Sequence, residues 1–480
     1  MASKKKLNTQ NLERLGARRL AELLMEISQG DGAAKRRLRL ELAGAAGSDD
    51  VAREVRKRLS TIERSRSFVD WQQRKALVKD LETQRQAIVE QVAKEDPETA
   101  LDLMWRFLGL AHSVFERCDD SNGSVARVFQ SACNDVANLA EAANADPEEL
   151  AERAFNTLTD NAYGEVDGLI PLLAPHLGDG GLAHLKARME AWAAKTPERP
   201  AEEDRQVIGY SSSGPIYADD IDRRRREMAA RQALQQIADA QGDVESFIAQ
   251  YSDAARRAPQ IAAEIGERLV AAGRPTDALA YLDAVDKKRA AWLPVEWEEA
   301  RANALEALGR SEEAQTFRWA CFERTLSKPH LRTYLKQLPE FDDVEAEERA
   351  LDVAQRYSGF NRALFFLIEW PALARAAQLV LDRADEVDGD HYEVLTPAAD
   401  ALQEKHPLAA TLLRRAMIDF ALDQARVKRY RHAARHFRQC ASAATMIADF
   451  GRFETHEAFE RRLKSRHARK RAFWDLVRDE

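Results

Sequence analysis

The sequence predicts an all-α protein: an irregular helical-repeat superhelix, preceded by an N-terminal helical domain and interrupted by one small loop or hairpin insertion. Three observations carry this reading. Ala, Leu, Glu and Arg dominate while Gly numbers 21 and Pro 15 in 480 residues, which is the composition of a helix former. The clusters of Val, Ile, Thr and Tyr that strands favour are scarce. The third observation is repetition. GERLVAAGRPTDALAYL and ANALEALGRSEEAQTFRW each read as helix, Gly-Arg turn, helix, with Gly273 and Gly309 at the same point of each copy.

Taken in order, Asn8 or Thr9 caps a first helix whose Leu12, Leu15, Leu20, Leu23, Leu24 and Ile27 fall on one face at helical spacing. A short basic helix, AAKRRLRLELAG, follows, and then a helix with Val51, Val55, Leu59 and Ile62 inward and a crowd of Arg and Lys on its other side. SRSFVDWQQRKALVKDLETQRQAIVEQVA reads as one long helix, with Phe68, Trp71, Leu77, Leu81, Ile88 and Val92 as its apolar stripe. Asp96-Pro97 and Asp146-Pro147 each open a helix, Pro standing at the first helical position. Between these, RCDDSNGSV has a fleeting likeness to an acidic cation loop. Cys118 and Phe129 stand where a calcium loop needs carboxylates, so the stretch reads as a helix stop and N-cap.

GLIPLLAPHLGDGGLAHLKARMEAWAAK gives two helices broken at Gly178 to Gly181. From Thr196 to Asp220 Pro, Ser and Gly concentrate, and two β-prone pieces, Val207/Ile208 and Ile216/Tyr217, flank SSSGP. The expected organisation is a helical domain over 1–195, a loop or small β-hairpin over 196–220, and a repeat domain over 221–480 that ends in a basic helix. Gly242 sits where Gly273 and Gly309 stand later, and Ala363, Ala410 and Ala433 occupy the small-residue position of further, weaker copies. A small residue there lets the second helix press against the first.

The charge is unevenly laid out. Residues 1–66 hold 16 Lys/Arg against 9 Asp/Glu, residues 423–480 hold 15 against 8, and the chain as a whole is at -8. Two basic ends therefore flank an acidic body. Arg461, Arg462, Lys464, Arg466, Arg469, Lys470 and Arg471 put seven cations and no acid into eleven residues of the last helix. They are the leading candidates for a polyanion or partner; docking on the chain's own acidic middle is the plainer account.

Chemistry is sparse by comparison. His432, His436 and Cys440 stand four apart, so one helical face would present three soft ligands to zinc, although Arg431 and Arg435 would repel the ion. HEAFE places Glu460 where HExxH needs its second His. G-x-S-x-G, Walker A, GxGxxG and CxxC are absent. No catalytic residue and no cofactor are expected. The four scattered cysteines fit reduced thiols, and the start MASKKKLNTQ lacks the apolar region of a secretory signal. No apolar run is long enough for a membrane span. A cytoplasmic location is expected.

Residues 231–440, through the copies above, resemble the tetratricopeptide repeat family, which implies an extended groove for a protein or peptide partner. LNTQNLERLGARRLAELLMEIS with KRRLRLELAG, SRSFVDWQQRKALVKDLETQR, MWRFLGLA with RCDDSNGSV, and AYGEVDGLIPLLAPHLGDGGL resemble a family of uncharacterised bacterial all-helical proteins, a domain of unknown function. The stretch from Phe420 to Val477 is similar to the helical C-terminal region of SWIM zinc-finger proteins. The zinc module's Cys-x-Cys and Cys-x-His are missing here, so that family's link to nucleic acid does not transfer. Three functions stay open: a protein interaction scaffold, a nucleic-acid-associated accessory protein using the basic ends, and an enzyme with an interdomain site near Val207 to Tyr217.

Overall fold

A computed structural model describes residues 7–195, 199–212, 214–285, 293–339 and 341–478. The basic residues of MASKKK, the first residues of the 196–220 segment and Ser213 of its SSSGP turn lie outside the described residues. Among the described residues the fold is all-α, with one two-stranded antiparallel hairpin, Val207–Ser211 on Gly214–Tyr217. The chain divides into two compact units, Met1–Asp253 and Ala254–Glu480.

The first unit has one continuous core running from Leu40 to Ile237. Its helices Ser48–Glu63, Pro97–Leu108, Ser124–Ala142, Pro147–Thr159 and Leu169–Ala194 bury the apolar faces that their periodicity dictates. Asp96 and Asp146 cap their helices by accepting from backbone N–H groups two or three residues on. In RCDDSNGSV the Asp120 carboxylate accepts from the N–H groups of Val125 and Ala126; the loop is a helix cap. Leu169–Ala194 kinks at Gly178, whose φ of 54° no other residue adopts as readily.

Two expectations are corrected. The stretch from Ser65 to Ala93 is not one helix: Val69 forms a bridge with Cys118, the helix begins at Arg74, and Ile88–Val92 continues it as a π-helical turn. Phe68 and Trp71 consequently stand 65% and 66% exposed, outside the buried stripe. The cause is Asp70, whose carboxylate accepts from Gln72 and Gln73 and starts the turn that leads into the helix. The second correction is that the first helix is two, Thr9–Glu13 and Gly16–Ile27, and of its apolar face Leu12, Leu15, Leu24 and Ile27 are exposed while Leu20 and Leu23 are half-buried.

The second unit is built as a series of neighbours. Helix Pro259–Ala271 packs on Pro275–Asp283 and Val295–Ala307, the latter on Ser311–Thr325, and that in turn on Lys328–Lys336. Further on Phe360–Glu369 packs on Leu373–Asp382 and Tyr392–Leu402, which packs on Pro407–Asp423, which packs on Tyr430–Ala444. Contacts between sequence neighbours are the mark of a helical repeat. Ala278, Ala314, Ala363 and Ala410 have no exposed surface, as expected of the position where one helix presses on another.

The turns share one hydrogen-bond pattern. Arg274 donates to the Leu269 carbonyl, Arg310 to Leu305 and Asp243 to Ala238, each a six-residue closure around a left-handed Gly273, Gly309 or Gly242. The same closure recurs from Ala145 to Ala140 and from Arg426 to Ala421, with Asn144 and Ala425 in the left-handed position.

Candidate functional site

The cations of the last helices are mostly committed within the second unit. Arg462 grips Asp419 through both terminal nitrogens at 3.0 Å and Glu454 at 2.7 Å. Lys464 pairs with Glu460 at 2.6 Å and Arg466 with Asp423 at 3.2 Å. Lys470 donates to the Leu422 carbonyl, and Arg461 to that of Glu457. Arg469 and Arg471 are exposed and form no ion pair among the described residues. Beneath these charges Phe437, Phe459, Phe473 and Trp474 pack ring to ring and fasten the helices His456–His467 and Arg471–Arg478 to the unit.

A second group of cations is arranged differently. From Gln424 to Ala448 the chain carries Arg and Lys but no acid. A cleft of about 230 Å³ opens there, with Lys428, Arg429, His432, Arg435 and His436 on its walls and Tyr392, Met417 and Ala421 among its apolar lining. Among the described residues no carboxylate lines it. Arg429 is tied to Asp390 at 2.8 Å and lies over the Tyr392 ring, whereas Lys428 and Arg435 are exposed with no ion pair among the described residues.

Two of the three candidate zinc ligands, His432 and His436, line this cleft and Cys440 does not. His432 is exposed, while His436 is buried with Nδ1 3.1 Å from Gln439 Oε1, its pKa lowered chiefly by burial. Cys440 is fully buried, approaches the Thr411 carbonyl at 3.8 Å, and has its thiol pushed up to about 12 by burial. The helix does not bring the three donors together.

A donor set that does converge is elsewhere in the unit, on residues with no motif spacing. Glu298 of helix Val295–Ala307, Cys321 of Ser311–Thr325 and His330 of Lys328–Lys336 are 2%, 0% and 2% exposed. Their ligand atoms all lie within 4.8 Å of one another, the one such group of three among the described residues. His330 Nε2 is 2.8 Å from Glu298 Oε2, while Arg324 pairs with Oε1. Arg324 Nη2 also reaches to 3.8 Å from Cys321 Sγ. Burial, then the charge of Glu298, pushes the Cys321 thiol up to about 12, which favours the protonated thiol.

Leu326, a buried residue held left-handed at φ 51°, stands between the helices that carry Cys321 and His330. That backbone costs roughly 1–2 kcal/mol for a non-glycine residue. Glu298 also lines a cavity of about 610 Å³ with Pro294, Val295, Lys328, Arg362 and Phe365. The first unit has a cavity of about 490 Å³ near the hairpin, lined by Arg199, Asp219, Asp222, Arg223, Arg225 and Arg226. Neither His nor Cys lines it, and Arg205 binds Asp219 and Asp220 at 2.9 and 2.7 Å.

The chain is thus an all-α helical-repeat protein with a cationic cleft and a buried cluster of mixed metal-ligand type. No helix of the described residues is long and apolar enough to cross a membrane. Over residues 2–476 the sequence matches DUF6880, a family of unknown function, and the chain belongs to that family. No curated protein matches. One solved structure, a circular tandem repeat protein with novel repeat topology and enhanced subunit contact surfaces, aligns over 96% of this chain and 98% of its own at 15% identity. Its TM-score is 0.16.

Proposed function

We propose that the protein is an interaction scaffold whose helical repeats receive an acidic, amphipathic segment of a partner protein in the cleft beside Tyr430–Ala444. The observation behind this reading is the cleft's make-up: apolar Tyr392, Met417 and Ala421, cationic Lys428, Arg429 and Arg435, and no carboxylate among the described lining residues. An apolar face flanked by Asp or Glu matches that pattern, with the apolar contact supplying affinity and the charges register. The reading of the basic tail as a nucleic-acid contact has less support, because Arg462, Lys464 and Arg466 are already paired.

A displayed-peptide selection on the full chain tests this. Recovered sequences should place Asp or Glu beside Leu or Phe, bind more weakly as salt rises, and lose about tenfold or more in affinity against Lys428→Glu/Arg435→Glu. Arg469→Glu/Arg471→Glu should bind as the wild type does. Recovered peptides without acidic residues, or a loss seen in the tail variant alone, would count against the cleft; preferential binding of duplex DNA would favour the nucleic-acid reading instead.

A further inference from the structure

We infer that Glu298, Cys321 and His330 form a binding site for a divalent ion of zinc type, with a fourth position open toward the adjoining cavity. One thiol, one imidazole and one carboxylate make up the donor set of zinc and its neighbours rather than of magnesium or calcium, which take oxygen. The three donors come from three successive helices and are all essentially buried, so the scaffold and not a mobile loop sets their spacing.

The geometry is close to what the ion needs. With ligand bonds of 2.0–2.3 Å, tetrahedral donors stand roughly 3.3–3.6 Å apart. Here the imidazole and carboxylate are at 2.8 Å and no pair of ligand atoms exceeds 4.8 Å. The first gap must widen and the longest close, both within the reach of side-chain torsions. The carboxylate divides its labour: Oε2 faces His330 and is available to the ion, while Oε1 is held by Arg324.

The charges also balance in an informative way. Binding releases the Cys321 thiol proton to solvent. The ion with one thiolate and one carboxylate is then neutral, and the Arg324 cation beside them leaves one positive charge uncompensated. A water, or better an anionic group, in the open position answers it. Glu298 lines the cavity that Lys328 and Arg362 also line, so such a group has a way in.

The experiment is a cobalt(II) titration of the full chain, purified under reducing conditions and stripped with a chelator. The expected result is one cobalt per chain, with the intense near-ultraviolet band of a thiolate bound to cobalt, displaced by zinc. Cys321→Ser should abolish the band, and His330→Gln should weaken binding more than about 100-fold while keeping the wild-type circular dichroism. Arg324→Met, which removes the competing cation, should tighten binding about tenfold. The inference is overturned if the wild-type chain takes up no cobalt, if the band survives in both Cys321→Ser and His330→Gln, or if Arg324→Met binds more weakly than the wild type. Should Cys321→Ser fail to fold, His330→Gln decides.

Discussion

Replacing Arg462 with Ala tests whether the basic tail is spent inside the molecule. Arg462 makes two parallel bonds to Asp419 and three to Glu454, and lies over the Phe459 ring at 5.0 Å. Hydrogen bonds to charged groups contribute about 1.5–3 kcal/mol each. The Arg462 side chain is 36% exposed, so water competes and the lower end of that range applies to the whole constellation. A loss of about 2 kcal/mol follows. Since 1.36 kcal/mol is tenfold, opening of the helix His456–His467 should become about 30-fold more frequent. Hydrogen exchange of that helix, read by mass spectrometry, measures this directly. Unchanged protection, combined with a loss of polyanion binding, would refute the docked-tail argument and return Arg462 to the role of an exposed contact.

Further outcomes are expected elsewhere. Gly389→Ala would drive a Cβ into the Ala416 carbonyl and to 2.8 Å from Phe420 Cβ, costing about 3 kcal/mol; a thermal melt within 1 °C of wild type would contradict it. Acidification should loosen the second unit through His436 and His456, whose pKa values burial holds below the ordinary imidazole value. Below about pH 6.5 the unfolded chain takes up protons that the folded one refuses, so stability falls as pH drops toward the folded values and is unaffected above that window. Glu165 of the first unit, raised by burial, has the opposite sign, and stability rises as pH falls through its folded value. Exchange measured peptide by peptide over a pH series separates the two, and His436→Asn/His456→Asn should weaken the response of the second unit, to which His467, also lowered by burial, contributes.

The all-α fold was legible because composition and periodicity act locally, and Gly242, Gly273 and Gly309 announce their turns by needing positive φ. Asn144 and Ala425 close the same six-residue turn without glycine, so those turns carried no signal. Phe68 and Trp71 have helical spacing with Leu77 and Leu81, yet Asp70 bonds to the backbone of Gln72 and Gln73, and that competition is invisible to periodicity. Among site residues, the four-residue spacing of His432, His436 and Cys440 drew attention to one helix, whereas Glu298, Cys321 and His330 are separated by irregular intervals and meet only through tertiary packing. The turn between the last two of them holds Leu326 left-handed, a conformation that nothing in its own chemistry announces. The pairing of Arg462 with Asp419 was likewise beyond reach, since a charge run looks the same whether solvated or satisfied.

The neighbour-to-neighbour packing of the second unit has a kinetic consequence. When each helix rests mainly on those adjacent in sequence, loop-closure entropy is small and the contact order low, so folding can start at any hairpin and spread. A destabilising change should therefore fray its own hairpin and the next before it reaches the rest. The exceptions are the ties that span many residues, among them His330 to Glu298 across 32, Lys328 to Glu369 across 41, Arg462 to Asp419 across 43 and Arg452 to the Leu381 carbonyl across 71. Such clasps turn a string of independent pairs into something that unfolds together.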